Sequence, residues 1–141
     1  MWYNESMKYD DIIENYLKES EDDFNLDKAD LEAKLRLIPN LHNKWLRHFY
    51  QQSHKLMKKE AELAKIWRDK LNYYLFDYEY EVKHTQVKFY IDSDEEYSKI
   101  FYQVECQRKV VEMIESILKK TTQLSFDISN LIKFKELKAG R

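Results

Sequence analysis

Apolar residues recur near multiples of 3.5 along one stretch of this chain. They run from Leu31 through Leu35, Ile38, Trp45, Phe49, Leu56 and Leu63 to Ile66. That spacing keeps a single stripe of a helix turned toward a partner. The pattern lasts to about Phe76, and Pro39 is its one obvious break, because proline removes an internal hydrogen bond and crowds the preceding turn. The sequence therefore predicts a helix capped by Asp27, a kink or short interruption at Pro39, and one long helix from about Asn40 to Phe76. A helix of about 50 residues would span roughly 70 Å, too long for a compact monomer of this size. Such a helix usually finds partners in other chains.

The rest of the chain points the same way. With one Gly and one Pro in 141 residues, the turn chemistry of a sandwich or barrel is missing, so a single all-α domain is expected. Residues 6–19 read as a short helix with Ser6 as a possible cap, followed by an exposed linker at Glu21, Asp22 and Asp23. In 77–91 the period changes. Tyr78, Tyr80 and Val82 alternate, as do Val87, Phe89 and Ile91, which is consistent with a small hairpin or an irregular tyrosine-rich connector. Ser93 and Glu96 form a capping box opening a helix to about Lys120. Thr121 and Thr122 loosen its end, and Ser125 or Asp127 caps a last helix carrying Ile128, Leu131, Ile132 and Leu137. The domain thus divides into an acidic N-terminal segment (1–26), the long helix (27–76) and C-terminal helices (93–141).

A net charge of −2 conceals blocks of alternating sign. Residues 1–32 carry 11 acids and 3 bases, and residues 33–70 carry 3 acids and 10 bases. Residues 71–105 carry 8 acids and 3 bases, and 106–141 carry 4 acids and 8 bases. Blocks of this kind suit contacts between subunits, or a basic surface for a polyanion. The basic block peaks between Lys55 and Phe76. There Leu56, Leu63, Trp67, Leu71 and Tyr74 share one helical side, widened by Met57, Ala64 and Leu75. Lys55, Lys58, Lys59 and Lys65 occupy the other side, Lys70 borders it, and Arg68 sits apart near Ala61 and Ala64. Cations interleaved with aromatic rings are what a single strand requires, since phosphates need charge and unstacked bases need flat faces. An ordinary amphipathic helix with a solvated lysine face has the same residues, and that is the commoner case.

No catalytic constellation emerges. His42, His48 and His54 are six residues apart, so on a helix they point in three directions and build no joint metal site. No phosphate-binding glycine loop and no zinc-protease motif occurs. Cys106 is the one cysteine, which excludes an internal disulfide and thiolate metal clusters and suits a reducing compartment. Flanked by apolar and charged residues, it reads as a structural thiol. The N-terminal segment lacks the basic and apolar regions of a signal peptide, and no apolar run approaches a membrane span. The expectation is a binding protein with no catalytic residues, cofactor or metal. A short recognition helix for duplex DNA and the strands of an RNA-binding sheet are both missing.

From Asp27 to Tyr74 the chain resembles the UvsY-type recombination mediators of T-even-like bacteriophages. The resemblance rests on Lys44-Trp45-Leu46, the lysine-rich helix after it, and the segment from Arg68 to Tyr74, which is similar to a basic-x-basic-Leu-x-Tyr-Tyr pattern. The ending from Phe134 to Arg141 is similar to the family's terminal Phe…Ala-Gly-basic sequence. Pro39 and the stretch 77–91 depart from the family pattern. The resemblance implies a non-enzymatic homo-oligomer, a ring of about six or seven subunits. It implies binding of single-stranded DNA, contact with a RecA-like recombinase (UvsX type) and with a single-strand-binding protein, and loading of that recombinase in the host-cell cytoplasm. It places DNA contacts on Arg68 and Lys70; charge and helix face add Lys58, Lys59 and Lys65, with Trp67, Tyr73 and Tyr74 as candidate stacking rings. It places assembly in the C-terminal region, where Val111, Ile114, Leu118, Ile128, Leu131 and Ile132 are the candidate residues. A structural coiled-coil adaptor without nucleic acid is the alternative that composition and periodicity leave open.

Overall fold

Two very long helices lie antiparallel and carry almost all the tertiary structure. The computed structural model describes residues 2–26 and 30–140, with side chains from residue 5 onward. Helix α1 spans Trp2–Phe24, α2 spans Leu31–Asn72, a π-helical turn spans Tyr73–Asp77, α3 spans Val87–Asp92 and α4 spans Glu95–Ala139. Helix α2 pairs with α4 along its length, and α1 lies against both beside the N-terminal part of α2.

The sequence of α2 explains its length. It contains no glycine, valine or threonine, so little in it resists helical torsions. Asp30 caps it, accepting from the N–H of Glu32 at 3.1 Å and of Ala33 at 3.3 Å. The predicted cap, Asp27, lies outside the described residues. The helix continues through Pro39 without the expected interruption. Proline costs one backbone hydrogen bond there, but Leu35, Ile38 and Leu41 on either side pack onto the buried Leu31, Leu124 and Ile128, and that burial holds the helix together.

Three apolar clusters hold the hairpin. In the middle, Tyr9, Trp45, Val110, Ile114 and Ile117 come from α1, α2 and α4. Toward the C-terminus of α4, Leu124 and Ile128 meet Leu31. At the hairpin's turn, Val82, Val87 and Ile91 are buried against Trp67, Leu71, Tyr74 and Tyr97. Between the first and third clusters sits a polar layer. Gln107 Nε2 donates to the carbonyl and the Oε1 of Gln52, at 3.0 and 2.8 Å, and Gln52 Nε2 donates to the Tyr16 hydroxyl at 3.0 Å. All the buried amides bonded there would lose partners if the helices slid by a turn, so the layer fixes register.

Several sequence expectations are corrected. Residues 77–91 form no hairpin, and no strand occurs among the described residues. Alternation there had no neighbouring strand to pair with, so Val82, Val87 and Ile91 instead fold together onto the helix pair. The two C-terminal helices are one. Thr121 is fully buried, donates back to the Leu118 carbonyl at 2.6 Å and lies 2.9 Å from His42 Nδ1, so its hydroxyl is satisfied inside a continuous helix. Ser125 and Asp127 are therefore interior positions. The cap of α4 is Asp94, accepting from the Tyr97 N–H at 3.1 Å; Ser93 closes α3. At the other end of the chain, α1 already includes Ser6 and runs through the supposed linker. Asp23 accepts from Trp45 Nε1 at 2.9 Å and pairs with Lys44, drawing the acidic run onto α2.

Candidate nucleic-acid interface

The face of α2 turned away from α4 is built from every third or fourth residue. At 100° per residue, Arg36, Asn40, Asn43, Arg47, Tyr50, His54, Lys58, Ala61, Lys65, Arg68 and Asn72 fall within a wedge about 80° wide. All of them are exposed, and no acid falls among them. Its Arg and Lys residues form no ion pairs among the described residues; acids such as Glu60 pair from other faces. From Arg36 to Arg68 this ridge extends about 48 Å. A long strip of unpaired cations without intervening carboxylates attracts a polyanion along its whole length.

The predicted basic residues divide into two groups. Lys58, Lys65 and Arg68 stand on the ridge. Lys59 lies about 100° round the helix from the ridge's edge and turns inward, with Nζ 2.7 Å from Gln103 Oε1 and 3.5 Å from Glu62. Lys70 turns to the hairpin's turn, where its Nζ lies 3.3 Å from Asp94 and 3.0 Å from Glu96. Burial alone would lower the Lys70 pKa, but the two carboxylates outweigh it and raise it above the ordinary lysine value. In this conformation Lys59 and Lys70 are committed to intrachain partners.

The predicted stacking rings are also mostly engaged. Trp67 packs on Tyr97 with centroids 5.8 Å apart, and Tyr74 donates its hydroxyl to Asp94 at 2.7 Å. Burial first, and then that hydrogen bond, push the Tyr74 hydroxyl well above the usual tyrosine range. Tyr73 is exposed but sits within a tyrosine cluster with Tyr74 and Tyr78. Met57 and Ala64, expected to widen the apolar face, point to solvent.

Three ridge residues escaped the sequence reading: Arg36, Arg47 and Tyr50, the last 65% exposed with the Phe49 ring edge-on beside it. A signal for the arginines was present. Arg36, Arg47 and Lys58 recur at intervals of 11 residues, three turns of helix, which keeps them nearly in line. His54 was weighed only as a metal ligand, yet it stands on this ridge. His42 and His48 are packed instead, His48 between Tyr16 and Trp45 and 3.0 Å from Glu19. Among the described residues no group of His, Cys, Asp and Glu could hold a metal ion, and no helix is long and apolar enough to cross a membrane.

The candidate assembly residues divide too. Ile114 and Ile128 are fully buried in the chain's own core. Leu118 and Ile132 pack against it, and Val111 is half-buried. Leu131 is exposed, and so are Phe126 and Phe134, neither of which was among the candidate assembly residues.

The fold and ridge define an elongated all-helical hairpin protein with one acid-free, cation-rich face. The family model described as "Recombination, repair and ssDNA binding protein UvsY" matches residues 19–141, and the chain belongs to that family. Its members are recombination, repair and single-stranded-DNA-binding proteins. The crystal structure of the bacteriophage T4 recombination mediator protein UvsY is similar to this fold, with a TM-score of 0.80 at 16% identity. The match covers 89% of this chain and 96% of that one. No curated protein sequence matches the chain.

Proposed function

We propose that this protein is a recombination mediator that holds single-stranded DNA along the α2 ridge, without sequence preference, as a homo-oligomer. The observation that carries this reading is the acid-free strip of exposed cations from Arg36 to Arg68. Lys58, Lys65 and Arg68, with Arg36 and Arg47, contact phosphates. Tyr50 offers the most accessible ring on the ridge for an unstacked base. Lys59 and Lys70 contribute to the local field while bracing the hairpin. The protein binds and positions, with no catalytic step of its own. Side by side in a ring, several ridges engage one strand, so modest contacts multiply through effective concentration. Held in this way, a strand covered by single-strand-binding protein becomes accessible to a RecA-like recombinase, which the mediator helps to load in the host-cell cytoplasm. The chain acts as one domain, with α2 for DNA and the exposed apolar residues of C-terminal α4 for assembly.

The test is binding to a labelled oligothymidylate across a salt series, with duplex DNA as competitor. Affinity falls with salt at a slope of about −0.7 per phosphate neutralised. The variant Arg47→Glu/Lys65→Glu/Arg68→Glu loses tenfold or more in affinity while keeping its assembly size by light scattering. No binding at low salt from a well-assembled oligomer would overturn the reading and leave a structural adaptor in its place.

A further inference from the structure

Beside the ridge, where α1 crosses α2, lies a cleft of about 270 Å³. Four lysines line it: Lys8 from α1, and Lys55, Lys58 and Lys59 from α2. One carboxylate faces them, Glu62, and it lies 3.5 Å from Lys59. Lys8, Lys55 and Lys58 are exposed and form no ion pair among the described residues. The inner wall is formed by Tyr9 and Ile12 from α1 and by the neutral amides of Gln52 and Gln107. Two helices thus converge an excess of ammonium groups on one small concavity. Their mutual repulsion is relieved when an anion sits between them. The volume is below that of pockets that engulf small molecules, and the four lysines around it suit a phosphate-sized anion. Lys58 belongs to both the cleft and the ridge, so the two surfaces are continuous.

We propose that this cleft seats a phosphate of the bound strand, and that Lys8 and Lys55 are therefore strand-contacting residues. The inference rests on the reading of the ridge as a single-strand site, and adds to it a contact from α1. This contact lies in the otherwise acidic first block of the chain, where a phosphate-binding residue is not expected from charge alone.

The test uses the full-length protein with a labelled oligothymidylate. Lys8→Gln and Lys55→Gln are compared with Lys18→Gln, which removes the same charge from an exposed position of α1 outside the cleft. The double cleft variant is expected to flatten the salt slope by about 0.7, the share of the one seated phosphate, and each single variant by part of that, with affinity at low salt falling several-fold. Lys18→Gln leaves the slope unchanged. Unaltered circular dichroism melts and assembly size confirm that folding is intact. If the wild type binds steeply but neither cleft variant differs from Lys18→Gln, the cleft is not a phosphate seat and the ridge reading stands. If the wild type does not bind at all, the ridge reading fails and this proposal with it.

Discussion

The two ends of the α2–α4 hairpin are built on opposite terms. At the turn end the chain closes on itself. Val82, Val87 and Ile91 are buried, and Asp94 at once caps α4, accepts from Tyr74 and faces Lys70. At the other end α4 runs on past the start of α2. Every residue from Lys133 to Gly140 is exposed, and Phe134 keeps 54% of its surface in solvent. The turn end draws its contacts from neighbouring stretches of the sequence; at the other end Phe126, Leu131 and Phe134 remain exposed. The first is sealed by burial within the chain, and the second leaves apolar surface in solvent.

Substituting the two ends in parallel gives the largest expected contrast. Ile91→Ala should lower unfolding free energy by about 2–5 kcal/mol, as a fully buried aliphatic does. Phe134→Ala should change it by less than about 0.5 kcal/mol in an assembly-deficient background. Urea denaturation checks both, and equal costs would abolish the distinction.

Asp94→Ala comes next, at about 2 kcal/mol or more, because it removes a cap and leaves Lys70 short of a partner. Acid should reproduce part of this. Burial alone would raise the Asp94 carboxyl, but the Tyr74 hydroxyl, the Tyr97 N–H and Lys70 together hold it below the usual carboxylate range. A depressed carboxylate stabilises above its unfolded pKa and ceases to do so as pH falls through its folded one. Loss should therefore begin near pH 4 and continue below it. Thermal melts from neutral to acid pH would show Asp94→Asn with a flatter profile than wild type.

Tyr74→Phe is a smaller change, about 1 kcal/mol for one hydrogen bond. In alkali the wild type should lose stability as pH rises above about 10, because the raised hydroxyl of Tyr74 resists an ionisation that the unfolded chain accepts. The phenylalanine variant should lose less over the same range. Smallest of all is Ser93→Ala, within about 0.5 kcal/mol, since Asp94 and not Ser93 caps α4.

The long helices were legible in the sequence because their signal is repeated many times. Leu31, Trp45 and Leu56 in α2, and Ile100, Ile114 and Leu118 in α4, each reinforce one stripe. What could not be read is what depends on a single distant neighbour. Thr121 looked like a terminator until His42 and the Leu118 carbonyl satisfied its hydroxyl, and Asp23 looked like linker until Trp45 supplied its indole N–H. Lys70 read as a free cation because Asp94 and Glu96, its partners, come from beyond the turn. Charge and spacing gave Lys58 and Lys65, and the family resemblance gave Arg68, which together make the C-terminal half of the ridge. Arg47 stood within the helix predicted from Asn40 onward and was legible at the same spacing; only Arg36 required knowing that α2 does not break at Pro39.

That continuity has a mechanical consequence. Single-stranded DNA is a slack polymer, whereas a helix of 42 residues is close to a rod. Charges fixed to a rod cannot drift toward the phosphates, so a strand that lies along α2 takes up the rod's length as its own end-to-end distance. The ridge thus presents its cations at fixed intervals along about 48 Å of one unbroken helix.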